Sequence, residues 1–186
     1  MKLLIVIDMQ KDFTVNKDVL GSDDAIKIIP AVVAKMKEYI ERNDSIIFTM
    51  DSHGYNYLET HEGKNLPVQH CIVDTDGWQI CDELMDTILN TKRPDGKDFT
   101  NYIRFGKKTF GYNKWNHYVW DKDISEIEIV GVCTDICVVS NALILRSMYP
   151  EKEITVDMSC CAGTSKEAHN AAGLIMKQNH INIIGV

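Results

Sequence analysis

Short apolar segments alternate along this chain with longer segments whose apolar residues recur at helical spacing. The predicted strands cover residues 3–7, 45–50, 99–105, 128–132, 154–156 and 181–184. The predicted helices cover residues 25–42, 79–90, 114–120, 136–148 and 166–178. This repeated strand–helix–strand order predicts a three-layer α/β/α fold with a six-stranded parallel sheet, formed by one domain over residues 1–186.

Length and charge exclude several classes of function. No apolar run in the 186 residues approaches the roughly 20 residues that a membrane span needs. The net charge of −7 argues against a nucleic-acid partner. The first apolar run is too short for a signal peptide, so we expect a cytoplasmic protein with reduced cysteines. The cysteines are not arranged in paired C-x-x-C motifs, which argues against a structural zinc cluster.

Reactive side chains are expected where the strands end, because ligands bind beyond the carboxyl ends of a parallel sheet. Asp8 follows the first strand, and Lys107 and Lys108 follow the third. Cys137 falls in the first turn after the fourth strand, where a helix N-terminus favours a thiolate. A thiol, a carboxylate to move its proton and a cation form a set suited to nucleophilic catalysis. Alternatively, Asp8 caps a turn, the lysines are solvated and Cys137 is a packing residue.

A second group of polar residues follows the predicted second strand. Asp51 and His53 place two ligand-type side chains on one side of an extended segment, and His70 comes later in the same loop. A carboxylate and two imidazoles suit zinc, iron or manganese. The candidates for completing the shell lie between them and are Glu59, His61 and Glu62. The alternative is a loop whose histidines hold no metal.

Five short motifs together resemble one protein family. They are IVIDMQKDF at 5–13, DSH at 51–53, HC at 70–71, Lys107 with Phe110, and GVCTDICV at 131–138. Their order and spread over most of the chain are similar to those of the isochorismatase-like cysteine hydrolases, a family that includes nicotinamidases. The resemblance implies a six-stranded parallel sheet between helices, which agrees with the alternation described above.

The resemblance also assigns roles to individual residues. It implies a catalytic triad of Asp8, Lys107 and Cys137, with Lys107 preferred to Lys108 because an aromatic residue follows it by three positions. The backbone N–H groups of Cys133 and Cys137 would form the oxyanion hole, with a cis peptide bond just before Cys133. Phe13 and Phe110 would line the substrate pocket.

The family also implies a divalent metal ion, with zinc expected and iron or manganese as alternatives. Its ligands would include Asp51, His53 and His70, with Glu62 as the fourth by spacing and His61 as the second choice. Nicotinamidases usually carry an aromatic residue three positions before the metal-binding histidine, and this chain has Pro67 there. Pro67 therefore weakens the assignment of nicotinamide as the substrate more than the assignment of hydrolase chemistry.

The implied activity is cysteine-dependent release of ammonia from a small amide through a thioester. Nicotinamide, converted to nicotinate in NAD salvage, is the expected substrate, and a homo-oligomer is the expected assembly. One alternative is a related carbamoyl or ureido amidohydrolase. Another is an isochorismatase-type vinyl-ether hydrolase, which Cys137 argues against because those enzymes lack the nucleophile. A third is a non-catalytic metal-binding module on the same fold.

Overall fold

The computed structural model describes residues 1–116 and 123–186. Within these residues, parallel strands form one sheet in the order β3-β2-β1-β4-β5-β6. The strands are β1 (Lys2–Ile7), β2 (Ser45–Asp51), β3 (Tyr102–Lys107), β4 (Glu126–Val132), β5 (Glu153–Ala162) and β6 (Asn182–Ile184). The α-helices are α1 (Asp23–Arg42), α2 (His61–Asn65), α3 (Asp82–Asn90), α4 (Val139–Met148) and α5 (Lys166–Gln178). The prediction of a six-stranded parallel α/β fold is confirmed.

Several predicted boundaries differ from those in the structure. Strand β5 runs through Cys160 and Cys161, which the sequence pattern places after the strand. The predicted helix 136–148 is divided into a π-helical turn, Thr134–Val138, and α4. The loop predicted to follow β2 contains the short helix α2. Most of the predicted helix 114–120 falls outside the described residues.

The sheet separates two apolar cores, and β1 contributes to both. Leu4 and Val6 pack on the side of α1 and α3, whereas Leu3, Ile5 and Ile7 pack on the side of α4 and α5. Side chains alternate between the two faces of a strand, so a strand covered on both faces needs an unbroken apolar run. The LLIVI sequence of β1 meets that need, and all five side chains are completely buried.

Side-chain caps define the ends of the long helices. The Ser22 hydroxyl accepts the N–H of Ala25 at the start of α1, and the Ser165 hydroxyl accepts the N–H of Ala168 at the start of α5. Asn43 adopts a left-handed conformation, with φ of 56°, and ends α1. No helix in the described ranges is both long and apolar enough to cross a membrane.

The strand order places β1 beside β4, where the chain changes direction across the sheet. A crevice forms at such a switch point, beyond the carboxyl ends of the strands. Gly131 of β4 pairs with Ile7 of β1, and a Cβ at Gly131 would lie 2.2 Å from the Ile7 carbonyl oxygen. Its φ of 118° is also one that residues with a Cβ rarely adopt. Glycine therefore lets the strands that flank the crevice approach closely.

Candidate active site

A buried ion pair lies at the carboxyl end of β1. Asp8 directly follows the strand and adopts an unusual positive φ of 48°. Its Oδ2 atom lies 2.6 Å from Nζ of Lys107, the last residue of β3. The hydroxyl of Thr49 in β2 donates to Oδ1 of Asp8 over 2.6 Å. Three adjacent strands therefore fix one carboxylate and one ammonium group at the same edge of the sheet.

The thiol of Cys137 completes this arrangement from the other side of the crevice. Its Sγ atom lies 3.6 Å from Nζ of Lys107, which also lies 3.8 Å from Oδ1 of Asp51. The predicted triad residues Asp8, Lys107 and Cys137 are thus brought together and are all buried. Lys108, the alternative lysine, is exposed. The arrangement offers a nucleophile, a proton acceptor and a fixed cation.

Burial controls the protonation of these groups. Burial raises the pKa of Asp8, and the ammonium group of Lys107 opposes that shift only in part. Burial also raises the pKa of Cys137, and the negative charge of Asp8 raises it further. This direction is opposite to the one that a helix N-terminus favours. Removal of the thiol from water raises its pKa by more than the ammonium group of Lys107 lowers it.

Backbone geometry shapes the turn that carries Cys137. The peptide bond between Val132 and Cys133 is cis, as the resemblance implied. The carbonyl oxygen of Cys133 accepts the N–H groups of Ile136 and Val138, at 3.1 and 3.0 Å. These bonds hold the π-helical turn closed on itself. The turn begins at the β4 terminus, so the backbone of Cys133 and the side chain of Cys137 belong to the same compact unit.

Four potential metal ligands converge next to the Asp8–Lys107 pair. They are Asp51, His53, Glu62 and His70, and one ligand atom from each lies within 4.8 Å of the others. Nε2 of His53 lies 2.8 Å from Oδ2 of Asp51 and 3.5 Å from Oε1 of Glu62. Nε2 of His70 lies 3.4 Å from the same Asp51 oxygen. Two carboxylates and two imidazoles form a donor set suited to zinc, iron or manganese.

A second layer of contacts orients these ligands. The Nδ1 hydrogen of His70 is donated to the carbonyl oxygen of Val68, which leaves Nε2 facing the cluster. The ring of Tyr57 makes edge contacts with the rings of His53 and His70, at centroid distances of 4.6 and 4.9 Å. Glu62 lies on α2 and belongs to the cluster, whereas the neighbouring His61 is exposed.

The first motif supports both halves of the site. The Gln10 amide accepts the backbone N–H of Asp51 and donates to its carbonyl oxygen, at 2.7 and 2.9 Å. A carboxylate oxygen of Asp12 accepts the N–H of Cys71, the residue after His70, at 2.8 Å. Asp8 therefore pairs with Lys107, while Gln10 and Asp12 of the same motif position the chain around the potential metal ligands.

The two predicted pocket residues border different cavities. Phe110 lines a cavity of about 880 Å³ together with His53, Glu62 and Ile136, the residue before Cys137. Phe13 lines a separate cavity of about 190 Å³ that reaches Cys133.

The aromatic residue expected before the metal-binding histidine has no counterpart at Pro67. That proline is exposed, and Leu66 lines the larger cavity beside it. An aliphatic side chain therefore contributes to the cavity wall at this point in the chain.

Sequence reasoning missed three supporting residues: Thr49, Gln10 and Tyr57. Gln10 stands inside a motif that was recognised, so its position two residues after Asp8 was an available signal. Thr49 precedes Asp51 by two residues in β2 and thus shares its face of the strand. Tyr57 carried no comparable signal, because its contact with the histidine rings depends on the folding of the loop after β2.

Comparison with known proteins agrees with this geometry. The family model described as "Isochorismatase domain" matches residues 2–186. The chain belongs to the isochorismatase family. It is 26% identical to the nicotinamidase of Schizosaccharomyces pombe over an alignment of 205 positions, which covers 97% of this chain and 91% of that protein.

Solved structures show the same fold. A nicotinamidase/pyrazinamidase of Bacillus subtilis superposes with a TM-score of 0.84, 24% identity and coverage of 99% of this chain and 100% of that one. The pyrazinamidase of Pyrococcus horikoshii in complex with zinc gives a TM-score of 0.76 at 23% identity, covering 100% of this chain and 99% of that one. The expected family membership is confirmed.

Proposed function

We propose that this protein is an amidohydrolase of the nicotinamidase kind, which releases ammonia from a small amide through a thioester on Cys137. One observation carries the proposal. Nζ of Lys107 lies 2.6 Å from Asp8 and 3.6 Å from Cys137, beside four convergent metal ligands. Homologous nicotinamidases support an amide-hydrolysing enzyme. Cys137 argues against a vinyl-ether hydrolase, which would have no use for a nucleophile.

In the first half-reaction, Sγ of Cys137 attacks the amide carbonyl carbon while Asp8 accepts the thiol proton. The raised pKa of Asp8 suits a group that must take a proton and return it. The backbone N–H groups of Cys133 and Cys137 are assigned to the developing oxyanion. Loss of one such donor typically costs about 100- to 1000-fold in rate. The C–N bond then breaks, and ammonia leaves with the proton held by Asp8.

In the second half-reaction, Asp8 accepts a proton from water as the water attacks the thioester carbonyl. Collapse of that intermediate breaks the C–S bond, yields the carboxylic acid and restores the Cys137 thiol with the proton from Asp8. Lys107 keeps its positive charge throughout, because the neighbouring negative charges raise its pKa despite its burial. It orients Asp8 and offsets negative charge that develops beside Cys137.

The residues present fit a divalent metal ion. Asp51, His53, Glu62 and His70 would hold it, and zinc is the proposed metal. When bound, the ion would serve as a Lewis acid that anchors a ring nitrogen of the substrate. The proposed pocket walls come from two phenylalanines. Phe110 borders the cavity next to these ligands, and Phe13 borders the smaller cavity at Cys133.

Nicotinamide is the proposed substrate, and its conversion to nicotinate would belong to NAD salvage. The deciding experiment measures ammonia release from nicotinamide by zinc-loaded protein. Cys137→Ala tests the nucleophile, and Arg104→Met is a matched control that removes an exposed positive charge from β3, outside the lining of the large cavity. We expect release by the wild type and by Arg104→Met, and none by Cys137→Ala.

Two results would contradict this proposal in different ways. Turnover by Cys137→Ala near the wild-type rate would overturn the thioester mechanism. Release of ammonia from an N-carbamoyl amide but not from nicotinamide would keep the mechanism and replace the substrate. The cytoplasmic location and the homo-oligomer expected from the sequence stay predictions.

The metal assignment has its own test, which compares two neighbours on α2. Glu62→Gln should weaken zinc binding by at least about tenfold, because even residues outside a metal's ligand shell change affinity by about 10- to 100-fold. His61→Ala should leave the affinity within about twofold, since that side chain lies outside the cluster. Competition with a chromophoric chelator measures both affinities. The reverse pattern would make His61 the ligand.

A further inference from the structure

A buried asparagine links the turn that carries Cys137 to the segment that follows Lys107. Asn141 lies on α4, one helical turn after Cys137, and is completely buried. Its Nδ2 group donates to the carbonyl oxygens of Cys137 and Phe110, at 2.8 and 3.1 Å. Its Oδ1 atom accepts the backbone N–H of Tyr112 at 2.9 Å and the indole N–H of Trp115 at 3.1 Å. Both donor hydrogens and both acceptor positions are therefore used.

These four bonds join two elements that the strands alone do not connect. Residues 110–115 follow β3, and Tyr112 and Trp115 share an apolar core with residues of α4. At Gly111 the approach is so close that a Cβ would lie 2.3 Å from Cδ1 of Ile144. The ring of Tyr112 stacks on Phe105 at a centroid distance of 5.0 Å, which holds the segment against β3. Asn141 bonds to the backbone on both sides of Gly111, at Phe110 and Tyr112.

We propose that Asn141 is a positioning residue for the reaction, a role that rests on the proposed function. It acts through two groups: the backbone carbonyl of the nucleophile Cys137 and the segment that places Phe110 at the cavity wall. A displacement of about 1 Å in a reacting group can cost about 100-fold in rate. A residue bonded to both elements sets the distance between the nucleophile and the wall against which the substrate would rest.

Three variants test this role. Asn141→Ala removes all four bonds, whereas Asn141→Thr keeps a hydroxyl that can donate to the Cys137 carbonyl four residues earlier. Ser147→Ala is the matched control, because it removes a side-chain bond to the Leu143 carbonyl in the same helix, on its exposed side. The measurements are kcat and KM with nicotinamide, the rate of Cys137 alkylation by iodoacetamide followed by peptide mass mapping, and the melting temperature.

We expect Asn141→Ala to lower kcat at least tenfold and to change the Cys137 alkylation rate by a similar factor, on the scale of about 100-fold per ångström of misplacement. We expect Asn141→Thr to lose only about threefold in kcat, because the bond to the nucleophile's carbonyl is retained. Ser147→Ala should match the wild type in all three measurements. A purely structural asparagine would lower the melting temperature without changing kcat or alkylation of the folded protein.

Wild-type kcat and alkylation in folded Asn141→Ala would overturn the proposal. If Asn141→Ala fails to fold, the Asn141→Thr variant provides the test. A kcat of Asn141→Thr equal to that of Ser147→Ala would then overturn the positioning role. Alkylation needs no substrate, so it separates this proposal from the proposed function. A wild type inactive on nicotinamide refutes the substrate, while an alkylation rate that differs between Asn141→Ala and Ser147→Ala still supports the positioning role.

Discussion

Lys107 and Lys35 each lie between carboxylates, and their surroundings differ. Lys107 contacts Asp8 at 2.6 Å and Asp51 at 3.8 Å, at the carboxyl edge of the sheet. Lys35 of α1 contacts Glu128 at 2.8 Å and Asp157 at 3.1 Å, where the helix crosses β4 and β5. The side chain of Lys107 is 1% exposed and that of Lys35 is 16% exposed, so only the first pair is completely removed from water.

Each carboxylate around Lys35 has a donor besides the lysine, as Asp8 has in Thr49. The Tyr39 hydroxyl donates to Glu128 at 2.8 Å, and the backbone N–H and hydroxyl of Ser159 donate to Asp157 at 3.1 and 2.6 Å. Burial would raise the pKa of Asp157, but the bonds from Ser159 and Lys35 outweigh burial and lower it. At Asp8 burial prevails and raises the pKa.

Similar residues therefore give an aspartate with a lowered pKa, Asp157, in one cluster and an aspartate with a raised pKa, Asp8, in the other. The difference between the two aspartates lies in the two hydrogen bonds that Ser159 adds at Asp157 and in the fuller exclusion of water at Asp8, rather than in the ion pair itself. A buried ion pair is thus weak grounds for inferring either stability or catalysis until its neighbours are known.

The largest expected contrast is between Lys107→Met and Lys35→Met. Lys107→Met should reduce kcat/KM by at least about 100-fold, since it removes the cation that orients Asp8 and faces Cys137. Lys35→Met should leave kcat/KM within about twofold of the wild type, because its cluster lies away from the site. It should lower the unfolding free energy by about 2 kcal/mol and the melting temperature by about 4–8 °C.

Steady-state kinetics and thermal melting of both variants measure this contrast. Arg104→Met controls for the loss of one positive charge from β3, since that side chain is exposed and lies outside the lining of the large cavity. A large loss of activity in folded Lys35→Met would contradict this contrast, because it would show that the Lys35 cluster also contributes to activity.

Much of the fold and part of the site followed from the sequence because both depend on local pattern. Unbroken apolar runs identified the buried strands, and parallel pairing then aligned their ends, as the register of Asp51 with Lys107 shows. The sequence alone therefore predicts that Asp8 and Cys137 lie at one crevice. This reasoning works wherever a residue's position is set by the end of a strand.

Other features depend on contacts between distant segments and gave no local signal. The loop after β2 is shaped by the bond from the Cys71 N–H to Asp12 and by the contact of Tyr57 with His70. The protonation of Cys137 depends on its burial, which a helix-dipole argument from sequence does not include. Cys160 extends β5 instead of following it, because its side chain packs in the core on the side of α1.

A second prediction concerns pH and the Asp8 carboxylate. Because Asp8 must be ionised to accept the thiol proton, kcat/KM should fall with decreasing pH at a midpoint above the ordinary aspartate value of 3.8. Thr49→Val removes the hydrogen bond that lowers the pKa of Asp8 and keeps the side-chain shape, so the midpoint should move to higher pH. The pH dependence of kcat/KM in both proteins measures the shift. A midpoint moved to lower pH would contradict the assignment of Asp8 as the base.

A third prediction concerns stability and the opposite sign at Asp157. Its lowered pKa means that the folded state favours the ionised carboxylate, so its contribution is present above pH 3.8 and is lost as the pH falls through the folded-state pKa. Asp157→Asn should therefore be less stable than the wild type at pH 7, and the gap should narrow below about pH 4. Urea unfolding of both proteins at several pH values measures this difference in unfolding free energy. A difference that does not change with pH would mean that Asp157→Asn is destabilised by altered packing rather than by loss of the charge.

The smallest expected effect is that of Tyr39→Phe. This change removes one hydrogen bond to Glu128 and leaves the ring in the core, so the unfolding free energy should fall by about 1 kcal/mol and the melting temperature by about 2–4 °C. Because Lys35 still pairs with both carboxylates, the loss should be smaller than in Lys35→Met, and kcat/KM should not change. Thermal melting measures the change in stability, and steady-state kinetics measures kcat/KM. A loss as large as that of Lys35→Met would mean that the hydroxyl and the ammonium group stabilise Glu128 cooperatively, so that the cluster acts as one network.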